Sequence, residues 1–149
     1  MPFFTPVALP IDRIGVYVSA TGAASKCRVG AYTNVAGAPS SLLVEGAAEI
    51  DPSAGTGLLL ATVAATLPAG FCWLCVANKD TATPATFLRC TGMTPSYTPV
   101  LATQLAIPQL PRYLGAALAY PGAMPASAPA VTVNAANGID GIMTFVRTV

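Results

Sequence analysis

The stretch that decides the fold runs from Leu67 to Asn78, LPAGFCWLCVAN, and sets one tryptophan between two cysteines in a CxxC spacing. It reads either as a metal or redox site or as the wall of a core. Structural zinc needs four thiolate or imidazole ligands in a tetrahedron, supplied as close pairs at turn-like knuckles. Here Cys72 and Cys75 make one pair, Cys27 and Cys90 stand singly, and the chain contains no histidine. In extended backbone, residues three apart face opposite ways with alpha carbons roughly 10 Å apart. A disulfide spans less than about 7 Å. A redox CxxC also wants a helix start, which Leu-Pro-Ala-Gly-Phe does not suggest. The expectation is free, buried cysteines acting as small hydrophobes, with a longer-range bridge such as Cys27 to Cys90 as the alternative and metal as the last. The stretch is then a strand buried on both faces, with Trp73 on the same face as Cys75 and opposite Cys72 and Leu74. Trp73 reads as a core or subunit-interface anchor, against a sugar-stacking platform.

Upstream, the same period of two recurs. In IDRIGVYVS, Ile14, Val16 and Val18 share one face while Arg13, Gly15 and Tyr17 share the other. KCRVGAYTN repeats the logic, with Cys27, Val29 and Ala31 opposite Arg28, Gly30 and Tyr32. ATGAAS between them is small and turn-prone, so the pair reads as a hairpin or its near relative. NVAGAPSS and DPSAGTG separate the further runs LLVEGAAEI and LLLATVAAT. Downstream, TPATFLRC, APAVTVNA and GIMTFVRTV read as late strands, the last closing the sheet, and LGAALAY as a short helix or strand. TGMTPSYTP, IPQLPRY and YPGAMPASAPA are proline-rich, and each proline removes a ladder donor. These are expected as ordered loops, or as arms lying on a neighbour. Short strands separated by turns every eight to twelve residues mark an antiparallel sandwich or barrel.

The chain of 149 residues is one domain by length and long enough to bury a core unaided. Its surface as a compact monomer would be roughly 7,000 Å². Only 9% of the residues are charged and 54% are hydrophobic, against about 25% charged in ordinary soluble domains. Charge is too sparse to cover such a surface. No uncharged apolar run free of proline and glycine approaches the about 18 residues of a membrane helix, and the N-terminus lacks a signal-peptide pattern. Burial against other protein is the remaining resolution. With a formal charge of +1 and seven basic residues scattered singly, nothing calls for nucleic acid.

Enzymatic constellations are equally thin. The carboxylates are Asp12, Glu45, Glu49, Asp51, Asp80 and Asp140. Glu49 and Asp51 have a spacing that would share a strand face, as a glycosidase pair needs, but they border the DPSAG turn and read as solvated. A histidine-based triad is excluded, and neither GxGxxG nor a P-loop is present. Asp12, Arg13 and Arg28 are expected in cross-strand ion pairs. No catalytic, cofactor-binding or metal-binding residue is assigned.

Three stretches together resemble a β-sandwich module of bacteriophage virion proteins, found in tail-fibre tips and head decorations. The module reads as an Asp-Arg-Ile strand, an Arg-x-Gly-x-Tyr strand, a Gly-x-Pro loop and a Leu-x-x-Gly-x-x-Trp-Leu strand. Asp12, Arg13 and Ile14, then Arg28, Gly30 and Tyr32, then Gly37 and Pro39, then Leu67, Gly70, Trp73 and Leu74 match it in order. The similarity covers about residues 3 to 90, and departs at Cys72, where an aromatic is common, and at Cys75, where a small residue is.

The resemblance implies a jelly-roll-like sandwich that works as a homotrimer in a virion assembled in the bacterial cytoplasm. A fibre carries a long shaft ahead of such a tip, whereas the pattern here starts near residue 3. The expectation is therefore a free-standing capsid cement or decoration protein, touching itself and the major capsid protein or other virion proteins, with no nucleic acid, no membrane and no cofactor. Its layout is an N-terminal arm over 1–10, core strands over 11–90, proline-rich loops or arms over 91–130 and closing strands over 131–149. Phe3, Phe4, Tyr97, Tyr113 and Tyr120 are the expected interface residues. The alternative is a tail-fibre or spike module that grips a host glycan through Tyr32, Asn34, Tyr97 and Asn137.

Overall fold

The computed structural model describes residues 2–79, 82–90, 114–115, 120, 122–129, 132–133, 141–142 and 144–149. They form an all-β, antiparallel sandwich, with no helix among the described residues. One sheet has the order β1-β6-β3-β4, from β1 (Pro2–Thr5), β6 (Gly70–Asn78), β3 (Cys27–Val35) and β4 (Ala38–Glu45). The other has the order β12-β2-β5, from β12 (Thr144–Thr148), β2 (Leu9–Ala20) and β5 (Gly57–Leu67), with β7 (Thr86–Phe87) also on β2. Short pairs join β8 (Arg89–Cys90) to β11 (Gly141–Ile142) and β9 (Leu114–Gly115) to β10 (Thr132–Val133).

The core lies between the two four-stranded sheets, where alternation from both sides meets. Ile14, Val16 and Val18 of β2 and Ala61, Val63 and Leu67 of β5 face Cys27, Val29 and Ala31 of β3 and Cys72 and Leu74 of β6. All are buried. The faces read from the alternation hold, but the hairpin between β2 and β3 does not form. β2 pairs with β12, β5 and β7, and β3 with β4 and β6. Each strand has a single apolar face. Stacking the two face to face buries both at once, which pairing them edge to edge would not do.

The hairpin sits one connection later. β3 and β4 are joined by Ala36 and Gly37, both at positive φ (50° and 82°), as the tight primed turn of a two-residue loop requires. The crossing from β2 to β3 is fixed instead by Gly22, on which a Cβ would strike the Pro84–Ala85 backbone, and by the buried Ser25, whose hydroxyl accepts the Ala85 N–H at 2.9 Å.

Two parts of the chain outside the core strands take definite places. Residues 2–5, read as an arm, are the strand β1 paired along β6 from Pro2 opposite Trp73 to Thr5 opposite Gly70. Within the proline-rich region, residues 124–128 lie on their own sandwich. Leu42 N–H donates to Ala126 O (2.8 Å), Ala128 N–H donates to Ser40 O (2.6 Å), and Ser41 and Ser127 form a bridge between them. The segment thus runs as a strap along the open side of β4. Its Ala126 carbonyl and Ala128 N–H turn toward β4, and the flanking Pro125 and Pro129 carry no N–H.

Candidate functional site

The outer face of the β1-β6-β3-β4 sheet carries Tyr32 and Asn34, two of the four glycan candidates. Tyr32 and Trp73 stand side by side there, paired across β3 and β6, and each is only 2% exposed. Met124 of the strap closes over them, with Leu42, Cys75, Ala77 and Ala128 around the rim. The Tyr32 hydroxyl donates to Pro125 O at 2.8 Å, and the Trp73 Nε1–H donates to Asn34 Oδ1 at 2.8 Å. Tyr32 and Asn34 are therefore used inside the molecule, and neither the Tyr32 nor the Trp73 ring is open for a sugar to stack on. Burial pushes the Tyr32 phenol up to about 12, aided by the Cys75 thiol and the Glu45 carboxylate. Tyr97 and Asn137, the other two glycan candidates, lie outside the described residues, as does Tyr113.

The third interface candidate of the second half, Tyr120, donates its hydroxyl to Glu49 Oε1 at 2.8 Å. Glu49 also lies 3.6 Å from Nη2 of Arg28, whose Nη1 donates to Glu45 at 2.7 Å. The guanidinium is held further toward its charged form by the Glu45 hydrogen bond, and the Tyr120 phenol is pushed up by burial and by Glu49. This network ties Tyr120 to β3 and β4. Asp51 takes the ammonium of Lys26 and the hydroxyl of Ser53 in the turn it borders.

The thiols point where the strand reading put them. Cys72 enters the core between the sheets and Cys75 lies on the outer face with Trp73. Cys27, Cys72 and Cys75 are free, so the bridge from Cys27 to Cys90 is not formed. Desolvation raises the Cys27 thiol to about 12, with the Glu49 charge adding to it, and the Cys72 thiol to about 11. Neutral thiols of this kind are poor nucleophiles and poor ligands. Among the described residues no three of His, Cys, Asp and Glu stand together as a metal would require.

Of the N-terminal candidates, Phe3 packs against the core and Phe4 is 53% exposed, its ring tilted on Phe71 with centroids 4.9 Å apart. Phe4 is the more exposed of the two, and Phe3 is half-buried.

A larger apolar surface, absent from the sequence expectation, occupies the outer face of the β12-β2-β5 sheet. Tyr17 of β2 stands opposite Leu58 of β5, and Gly15 opposite Leu60 on one side and Phe145 of β12 on the other. Leu88 joins them through its N–H, which donates to Tyr17 O at 2.8 Å. Tyr17, Leu58, Leu60 and Leu88 are all exposed by 39% or more. Gly15 is required beneath this row, because a Cβ there would strike both the Leu59 carbonyl and the Leu60 side chain. At one end the row meets Arg13 and Arg147, cross-strand neighbours whose like charges are bridged by Asp12. Arg147 Nε donates to Asp12 Oδ1 at 2.9 Å and its Nη2 to Oδ2, with Arg13 Nη1 at 3.6 Å. The side-chain hydrogen bond from Arg147 holds the Asp12 carboxyl below its ordinary range. The signal for this face was present in GLLLATVAATL, where Leu58 and Leu60 alternate with the inward Leu59 and Ala61. An all-apolar run hides its own alternation.

Comparison with protein-family models, with curated proteins and with solved structures returned no match in any of the three.

Proposed function

We propose that this chain is a structural, non-enzymatic component of a phage particle, a cement or decoration protein whose copies join one another and a larger coat through apolar contact. The observation that carries the reading is the exposed row Tyr17, Leu58, Leu60 and Leu88 on a chain with 9% charged residues. Covering apolar surface contributes about 2.5 kcal/mol for each ~100 Å² removed from water, before ordering costs. A rigid sheet presenting such a row has little left to order. The ionisable side chains support the same reading, since Asp12, Arg28, Glu45, Glu49 and Asp51 are engaged with one another or with nearby cations and hydroxyls. The virion context itself rests on the resemblance of residues 3 to 90.

The test is sedimentation of the purified chain with emptied phage heads, alongside its mass in solution. Pelleting with the heads, reduced by Tyr17→Asp or Leu88→Asp, is the expected result. A chain that stays in the supernatant at every ratio overturns the reading. The same mass measurement reads the homotrimer that the resemblance implies.

A further inference from the structure

The two sheets treat their edges differently. On β4 the open side is covered by the strap, as described above. On β5 the corresponding side is met at Thr62 and, among the described residues, is open at Leu58 and Leu60. Thr62 O accepts the Ala47 N–H at 2.8 Å from the side away from β2, so by alternation Leu58 and Leu60 also turn their N–H and C=O groups to that side. The partner strand agrees, because Tyr17, opposite Leu58, turns its carbonyl the other way, to Leu88. Among the described residues, these main-chain groups of Leu58 and Leu60 meet no backbone partner.

What fits an open strand edge is another strand. Natural edges are guarded by lysine, proline or bulges, and β5 from Gly57 to Leu67 contains no charged residue and no proline. Its bulge against β2 falls beyond this stretch, toward Ala65. A two-fold axis through the strand brings the same short stretch of both copies together, so charge on the strand would oppose the contact; this strand has none to do so. The side chains of Leu58 and Leu60 on the outer face complete the match.

We infer that β5 is a self-pairing edge, where two copies join antiparallel about Leu59 with Leu58 of each opposite Leu60 of the other. That register makes about four main-chain hydrogen bonds, two from each copy, and places the leucines as cross-strand neighbours on the outer face. The inference rests on the proposed assembly role and names the contact that joins copies. An edge of this length is small beside the roughly 1,200–2,000 Å² of a stable interface. Its strength in a coat comes from repetition, since each copy held on a particle meets its neighbour at high effective concentration.

Leu58→Pro is the diagnostic change, because the N–H it removes faces the open side and no β2–β5 ladder bond depends on it. Leu58→Lys is the second, placing like charges across the two-fold axis while leaving the backbone whole. Sedimentation equilibrium up to about 1 mM is expected to show a monomer–dimer equilibrium in the wild type, weakened at least about tenfold in both variants, with far-ultraviolet circular dichroism unchanged. A wild type that stays monomeric, or a three-copy species that neither variant affects, overturns the inference. Should Leu58→Pro fail to fold, Leu58→Lys decides alone. A wild type that pellets with phage heads but never self-associates removes this contact and leaves the structural role standing. One that pairs but ignores the heads does the reverse.

Discussion

Tyr32 shows how much a single side chain can carry when both of its ends are used. Its ring fills the cluster with Trp73 and Met124, and its hydroxyl holds the carbonyl of Pro125, 93 residues further along the chain. Tyr32→Phe keeps the ring and loses the donor, and is expected to lower the unfolding free energy by about 1 kcal/mol, read from the urea midpoint. Tyr32→Ala also leaves a cavity and should cost about 3–5 kcal/mol. The buried thiols make a prediction in pH. Cys27 and Cys72 are raised to about 12 and about 11, so the folded state keeps protons that the unfolded chain releases near 9.0. Stability is therefore whole below pH 9 and falls as pH climbs toward 12, and a thiol reagent at pH 8 should label these two cysteines only on unfolding. Asp51 works in the opposite sense, its carboxyl held at about 2, chiefly by the Lys26 hydrogen bond. Its contribution is present above the unfolded value near 3.8 and is lost as pH falls toward 2; Lys26→Met should move the carboxyl midpoint upward in a carbon-13 titration. Tyr32 also marks a limit of local reading. Its residue type suggested a sugar platform, and nothing within ten residues on either side announces that Met124 and Pro125 will cover it.

At the scale of elements, alternation was a reliable guide to faces and a poor one to partners. Ile14, Val16 and Val18, and Cys27, Val29 and Ala31, are buried as their period of two implied. The period says which way a side chain points, and both a hairpin and a face-to-face stack satisfy it. The choice between them lies in Gly22 and Ser25, which seat the crossing against Ala85 some sixty residues away. The CxxC was settled by the same strand geometry, because its two thiols could be assigned to opposite faces without knowing any partner strand. The strap was legible only as proline-rich chain, since its place beside β4 depends on two main-chain bonds that no side chain encodes. Gly15→Ala tests the element most directly. Its Cβ would press on the Leu59 carbonyl, which belongs to the neighbouring strand and cannot move aside without breaking the β2–β5 ladder. A loss of about 1–3 kcal/mol is expected, visible as a lowered thermal midpoint, while Gly55→Ala, where a Cβ meets nothing within 4 Å, serves as the control.

For the whole molecule, the scarcity of charge and the position of the few charges belong together. Arg28 with Glu45 and Glu49, Lys26 with Asp51, and Asp12 with Arg147 tie strands and turns of the sandwich to each other, while the row Tyr17, Leu58, Leu60 and Leu88 presents apolar side chains. Tyr17→Asp and Leu88→Asp are expected to change stability by no more than about 0.5 kcal/mol, as exposed substitutions generally do, while reducing pelleting with phage heads; a matched loss of stability and binding would point to misfolding instead. The strap beside β4 has its own bearing on life in a crowded coat. A strand added beside the strap would need main-chain donors, and Pro125 and Pro129 supply none. That flank is therefore a poor template for fibril growth among copies packed shoulder to shoulder.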